Sequence, residues 1–278
     1  MEPYGVSLSS LLDVGFFRTD ALKHLFSPFE GYFEDIDVIQ QIPEIMPQQP
    51  GYSALLDINS LPGLHDTCLS AANTVIQWLP KGYIFRPRFL GACLMKSMFC
   101  AETHASGATR AFLWHRDNDD LFSPMIKVMV PMVSVSRENG MFSALQNQVC
   151  SLDQKFLDNS TDSDTSFVDQ NDALGRVRDD VMRRHFGKYI VDFDASPSEA
   201  FVVDTSSVYH RGGMILSEDK FRINIQLIIG SSLNSINQSR PRARTLLRRI
   251  SKSIPTGFGH NIHYKKVMSR SRNQITLN

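Results

Sequence analysis

Phe112-Leu-Trp-His-Arg-Asp117 closes an apolar run on a His-x-Asp pair, and the way that pair is completed decides the fold. Its counterpart lies ninety-odd residues on, in Phe201-Val-Val-Asp-Thr-Ser-Ser-Val-Tyr-His210-Arg-Gly-Gly. His115, Asp117 and His210 are two imidazoles and a carboxylate, two from one short segment and the third from a distant strand. Such a set caps one face of an octahedral metal and leaves three positions open, the arrangement of non-heme ferrous centres. A lone His-x-Asp arises easily by chance, and a histidine like His210 is often bonded to a neighbouring carbonyl. None of His24, His65, His104, His185, His210, His260 or His263 has a carboxylate two residues on, so the pair is unique in the chain. Twelve residues past His210 comes Arg222, in the apolar run Phe221-Arg-Ile-Asn-Ile-Gln-Leu-Ile-Ile. Arginine is rarely buried without an acidic partner, and its planar fork suits the far carboxylate of a 2-oxo acid cosubstrate.

Outward from these residues the periodicity is that of strands. Residues 89–100, 108–114, 125–136, 141–145, 189–193, 200–204, 207–210 and 222–229 make eight candidates, separated by turn signals such as Glu-Asn-Gly140 and Arg211-Gly-Gly. Eight strands with no intervening helix-length apolar segment point to a mainly β chain with flanking helices, a double-sheet jelly roll. On the 125–136 strand Lys127 and Met129 share a face. If that face is inward, Met129 lines the cosubstrate pocket and Lys127 adds positive charge to it; a solvated lysine is the ordinary alternative. Before the strands, residues 10–26 carry apolar residues at mixed three-and-four spacing, which suggests a helix. A clearer helix runs from an N-cap at Ser60 to Pro80-Lys-Gly82, with Leu64, Cys68, Ala72 and Val75 on one face. A single domain is expected: a helical flank over 1–88, a β core over 89–230 and a basic extension over 231–278. Within the core, 150–188 is an insertion whose polar first half reads as a lid and whose residues 172–186 read as a charged surface helix.

The composition excludes other classes. At 278 residues with 42% hydrophobic content and no net charge, the chain is an ordinary soluble protein in make-up. No apolar run approaches the ~20 residues of a membrane helix, and the first residues lack a secretion signal. Cys68, Cys93, Cys100 and Cys150 show no CxxC spacing, which reads as reduced thiols in a cytoplasmic protein. The charge is uneven: the 59 residues after Asp219 hold twelve basic residues and no acidic one. That polarity marks either an anionic partner or a tail lying on the chain's own acidic body.

With those residues in place, the chain resembles the phytanoyl-CoA hydroxylase-like family of Fe(II)/2-oxoglutarate-dependent dioxygenases. The likeness spans roughly 89–229. It rests on His115-Arg-Asp117, on Ile126-Lys-Val-Met-Val-Pro-Met-Val-Ser-Val-Ser-Arg-Glu-Asn-Gly140, and on His210-Arg-Gly-Gly with Arg222 beyond it. The resemblance implies a double-stranded β-helix (cupin-like) fold, with His115, Asp117 and His210 as iron ligands and Arg222 as the 2-oxoglutarate anchor. Dioxygen would be the oxidant and ascorbate an optional reductant. Three positions depart from the family pattern. Leu145-Gln-Asn-Gln148 replaces a Pro-Gly-Ser-His stretch, Asn224 stands where Ser or Thr is usual beside the cosubstrate, and Met129 replaces an aromatic residue against it. These departures set aside a phytanoyl-CoA-type substrate. Asp117, where halogenating members lack a carboxylate, implies hydroxylation-type chemistry. The expectation is oxidation (hydroxylation, desaturation or cyclisation) of an unactivated C–H in a small metabolite or biosynthetic intermediate, with succinate as coproduct. Two readings compete: a nucleic-acid or protein oxygenase using the basic C-terminal segment, which has few aromatics for stacking, and a non-enzymatic jelly-roll binding module.

Overall fold

The fold comes from a computed structural model that describes residues 11, 13–49, 53–84, 86–101, 112–117, 124–147, 177 and 179–231. In chain order the elements are β1 (Phe16–Thr19), α1 (Lys23–Phe26), α2 (Ile36–Gln41), β2 (Glu44–Gln49), β3 (Ser53–Leu56), α3 (Leu64–Trp78), β4 (Pro87–Met98) and β5 (Ile126–Pro131). They continue with β6 (Phe142–Leu145), α4 (Asp179–Phe186), β7 (Ile190–Phe193), β8 (Ala200–Asp204), β9 (His210–Gly212) and β10 (Phe221–Ser231). The strands form a seven-stranded sheet, ordered β1-β8-β5-β10-β4-β3-β2, and a three-stranded sheet, ordered β7-β6-β9. Every pairing between these strands is antiparallel. This is the jelly roll of the double-stranded β-helix. No helix among the described residues is long and apolar enough to cross a membrane.

β10 shows how one strand serves two layers. Ile223, Ile225, Leu227 and Ile229 point outward and are fully buried with Leu64, Cys68, Ala71, Ala72 and Val75 of α3. Burying each large aliphatic side chain is worth about 1.5–3 kcal/mol, so this face carries much of the fold. The alternate residues Arg222, Asn224, Gln226 and Ile228 face the other way. Direct partners across an antiparallel ladder share a face, so Met129 (opposite Gln226) and Lys127 (opposite Ile228) join them. Between the sheets, Phe16, Met129, Ala144, Phe193, Phe201, Val203 and Val208 form a second apolar cluster.

Several sequence expectations shift by a few residues, each for a local reason. The 1–88 flank contributes strands as well as helices: β1, β2 and β3 extend both edges of the larger sheet. Residues 16–19, within the stretch that reads as helical, form an edge strand paired with β8. Phe16 and Phe17 are both buried, one against each apolar layer, so no period of two survives in the sequence. Helix α3 starts at Leu64 with Gly63 as N-cap at φ 81°, not at Ser60. Asp57 instead caps a one-turn 3-10 helix by accepting from Asn59 N–H, and Ser60 Oγ donates to Asp57 O. The strand expected at 207–210 begins only at His210, because Asp204 accepts from the N–H groups of Ser206 and Ser207 and turns the chain there. The charged helix expected within 172–186 is α4. The remainder of the expected 150–188 lid lies outside the described residues, save Val177 and 187–188, and of the 231–278 extension only Ser231 is described.

Candidate metal centre

The 112–117 segment crosses β9 as a single rung of antiparallel ladder. His115 N–H donates to His210 O at 3.0 Å, and His210 N–H returns the bond to His115 O at 2.9 Å. One residue earlier, Trp114 and Val177 exchange bonds in the same way. Asp117 N–H donates to Thr205 O at 2.9 Å, which ties the end of the segment to the turn after β8. Residues two apart on an extended segment share a face, so His115 and Asp117 point the same way, toward His210.

The side chains meet. The rings of His115 and His210 lie 4.5 Å apart, and His210 Nε2 is 3.6 Å from Asp117 Oδ2. One ligand atom from each of His115, Asp117 and His210 falls within 4.8 Å of the other two. The backbone selects the tautomers. His115 Nδ1 is 2.7 Å from Leu113 O and His210 Nδ1 is 3.3 Å from Val208 O. A carbonyl only accepts, so each Nδ1 carries a proton, and in the neutral ring Nε2 keeps the lone pair that a metal-binding histidine requires. Burial pushes the His210 imidazole down to about 3, against the opposing pull of Asp117. Burial alone would raise the Asp117 carboxyl, but the Lys127 ammonium and His210 outweigh it and hold the group below the usual carboxylate range. Two imidazoles and an ionised carboxylate, converging and partly dry, fit a divalent transition metal.

Lys127 is not solvated: its Nζ lies 2.8 Å from Asp117 Oδ2, with a side chain about one-fifth exposed. Arg222 is 7% exposed and its Nη1 donates to Gly213 O at 3.2 Å. With its carboxamide oxygen turned toward that guanidinium, Asn224 accepts from Arg222 Nε at 3.3 Å and donates to Ile223 O at 3.2 Å. Met129 lies on the same sheet face, within the apolar cluster between the sheets. Lys127, Met129, Arg222 and Asn224 therefore share one face of the larger sheet.

Two groups that the sequence did not single out frame the site. Thr205 holds Asp117, and Gly140 with Gly213 make room for Arg222. A Cβ on Gly140 would stand 2.5 Å from Gly213 O and 2.9 Å from Arg222 Nη1, at φ +80°. The readable signal was Arg211-Gly-Gly next to a histidine, since paired glycines mark close backbone approach. Gly140→Ala is accordingly expected to destabilise the protein by about 1–3 kcal/mol. For a domain of this size that lowers the melting temperature by roughly 2–4 °C per kcal/mol, which calorimetry reads directly. A melting temperature unchanged to within a degree would show that the two glycines do not pack as described.

Fold and triad together define a double-stranded β-helix protein carrying a His-Asp-His set that could hold a metal ion. No protein-family model matches the chain, and no curated protein matches it. Solved structures do. The non-heme α-ketoglutarate-dependent carbocyclase SnoK from nogalamycin biosynthesis matches with a TM-score of 0.50 at 10% identity, over 83% of this chain and 85% of that one. EctD from S. alaskensis, in its apo form, matches with a TM-score of 0.49 at 12% identity, over 84% and 80%. EvdO2 from Micromonospora carbonacea var. aurantiaca, complexed with 2-oxoglutarate, matches with a TM-score of 0.47 at 13% identity, over 83% and 92%. At 10% identity the likeness to SnoK establishes a shared fold.

Proposed function

We propose that the chain is a non-heme Fe(II)/2-oxoglutarate-dependent oxygenase that oxidises an unactivated C–H of a small metabolite or natural-product intermediate. One observation carries the reading: His115, Asp117 and His210 bring their ligand atoms within 4.8 Å of one another from two separate parts of the chain. In this reading these three residues hold ferrous iron, and Arg222, oriented by Asn224 and Gly213 O, takes the far carboxylate of 2-oxoglutarate. Bound there, iron and cosubstrate supply the oxidation of the C–H, coupled to decarboxylation of 2-oxoglutarate to succinate. The protein's part is positioning and exclusion. The two Nδ1–H···O=C bonds keep the histidine rings aimed inward. Lys127 neutralises Asp117 in the absence of metal and offsets the charge of a dianionic cosubstrate in its presence. The cluster of Met129, Phe193 and Phe201 keeps water from the sheet interior behind the site. The small-molecule target follows the likeness to SnoK, whose name places it in nogalamycin biosynthesis. The competing macromolecular target rests on residues 231–278, of which only Ser231 is described, and nothing in the described residues favours it.

The test begins without oxygen. Adding Fe(II) and then 2-oxoglutarate to metal-free protein is expected to give a visible charge-transfer band that neither gives alone. Admitting oxygen is then expected to release succinate, faster in the presence of the right small acid or polycyclic intermediate. A purified protein that retains no Fe(II) and binds no 2-oxoglutarate would instead be a jelly-roll binding module.

A further inference from the structure

The rung that joins the two histidines has a second side. Residues alternate across it, so Trp114 and Arg116 on one segment, with Tyr209 and Arg211 on the other, point away from His115 and His210. The contacts agree. The Arg116 guanidinium lies over the Tyr209 ring, 4.3 Å from its centre, and the Arg211 guanidinium over the Trp114 ring at 5.9 Å. Each is the cross-strand pair expected from the His115–His210 register.

Among the described residues the charges on this outer side do not balance. Arg211 pairs with Asp179 at 3.0 Å, and Arg183 pairs with Asp179 at 3.0 Å and Asp192 at 2.8 Å. Those two carboxylates are further engaged by Trp114 Nε1 and Ser143 Oγ. Arg116 has no such partner. It is 8% exposed, and Nε, Nη1 and Nη2 are all buried without a hydrogen bond among the described residues. A guanidinium does not shed its proton at working pH. A buried charge with no partner is costly, and the ring beneath it offers only part of what water would.

We propose that Arg116 forms a binding site for a small oxyanion, a carboxylate or phosphate group, on the side of the 115–117 segment turned away from the histidines. The planar fork meets either group with two parallel N–H···O bonds, and Tyr209 holds it flat from below. The site is distinct from the cosubstrate anchor Arg222, which lies on the inward face of β10. It does not depend on the reading of the triad as an iron centre.

The experiment uses metal-free, full-length protein dialysed into a buffer of zwitterion and chloride. Phosphate and acetate are titrated separately at constant ionic strength, with binding read by calorimetry and by the melting temperature. Wild type is expected to bind at least one of the two saturably with one-to-one stoichiometry, and the preferred ion identifies the group the site takes. Arg116→Met is expected to weaken that binding at least tenfold, and Arg116→Lys, which keeps charge but not the fork, to weaken it less. In the buffer without phosphate or acetate Arg116→Met is expected to melt no lower than wild type, because it removes an unmatched buried charge. The absence of saturable binding in wild type overturns the proposal, as does equal binding in Arg116→Met. An Arg116→Met protein that melts far below wild type in the buffer without phosphate or acetate also overturns it, because the guanidinium's partner is then supplied by the chain itself. Should Arg116→Met fail to fold, the wild-type titration and Arg116→Lys decide: saturable binding that Arg116→Lys weakens supports the proposal, and binding that Arg116→Lys leaves unchanged overturns it.

Discussion

Asp117→Ala is expected to lower Fe(II) affinity by at least about 100-fold and to reduce succinate formation to background. Losing a supporting residue around a metal typically costs 10- to 100-fold, and a direct ligand more. The carboxylate is also the only anion among the three candidate ligands. Without it, two imidazoles and the Lys127 side chain surround the position, since Lys127 Nζ now sits 2.8 Å from Asp117 Oδ2. A dication entering that set meets like charge. Asp117→Asn separates charge from shape: the amide keeps the volume and the tie of Asp117 N–H to Thr205 O, so the fold should stand while affinity falls nearly as far. Competition against a ferrous chelator under nitrogen measures both variants. Retention of iron within about threefold in Asp117→Ala would remove the carboxylate from the metal's coordination, and the proposed oxygenase would lose its facial set.

The site was legible in the sequence to the extent that its residues sit on regular strands. His115 and Asp117 are two apart on an extended segment, and Arg222 lies on an apolar strand where a guanidinium is conspicuous. The roles proposed for them rest on chemistry that short patterns preserve. What the sequence hid depends on register. Lys127 reads as either an inward cation of the cosubstrate pocket or a solvated lysine, and its pairing with Asp117 shows only when β5 is placed beside β8 and the turn holding Asp117. Arg116 reads as the variable middle of His-x-Asp until the His115–His210 rung sets it opposite Tyr209. The same limit applies to β1. Phe16 and Phe17 are buried on opposite faces, so an edge strand between two apolar layers carries the mixed spacing of a helix. Even the charge network of Asp179, Arg183, Asp192 and Arg211 combines one helical four-residue spacing with contacts between α4, β7 and β9. Only the helical part is visible in one dimension.

Arg222→Met is expected to weaken 2-oxoglutarate binding by a factor between about 30 and a few thousand, while Fe(II) affinity stays within about threefold of wild type. Truncating one side of a buried, hydrogen-bonded charge pair costs about 2–5 kcal/mol, and each 1.4 kcal/mol is tenfold in affinity. The arginine is built into its place. It is 7% exposed, it donates to Gly213 O, and Gly140 has no Cβ where one would press on Nη1. A residue held this tightly loses little further freedom on binding, so most of its interaction energy is available to the ligand. Methionine keeps much of the length and apolar volume and removes the fork. Lysine restores charge without the fork, so Arg222→Lys should recover only part of the loss. The split between the two measured affinities is the discriminating result. If Arg222→Met loses iron and cosubstrate together, the arginine supports the β10 strand rather than the ligand. If it loses neither, the far carboxylate is held elsewhere on the sheet face, and Lys127 becomes the group that meets it.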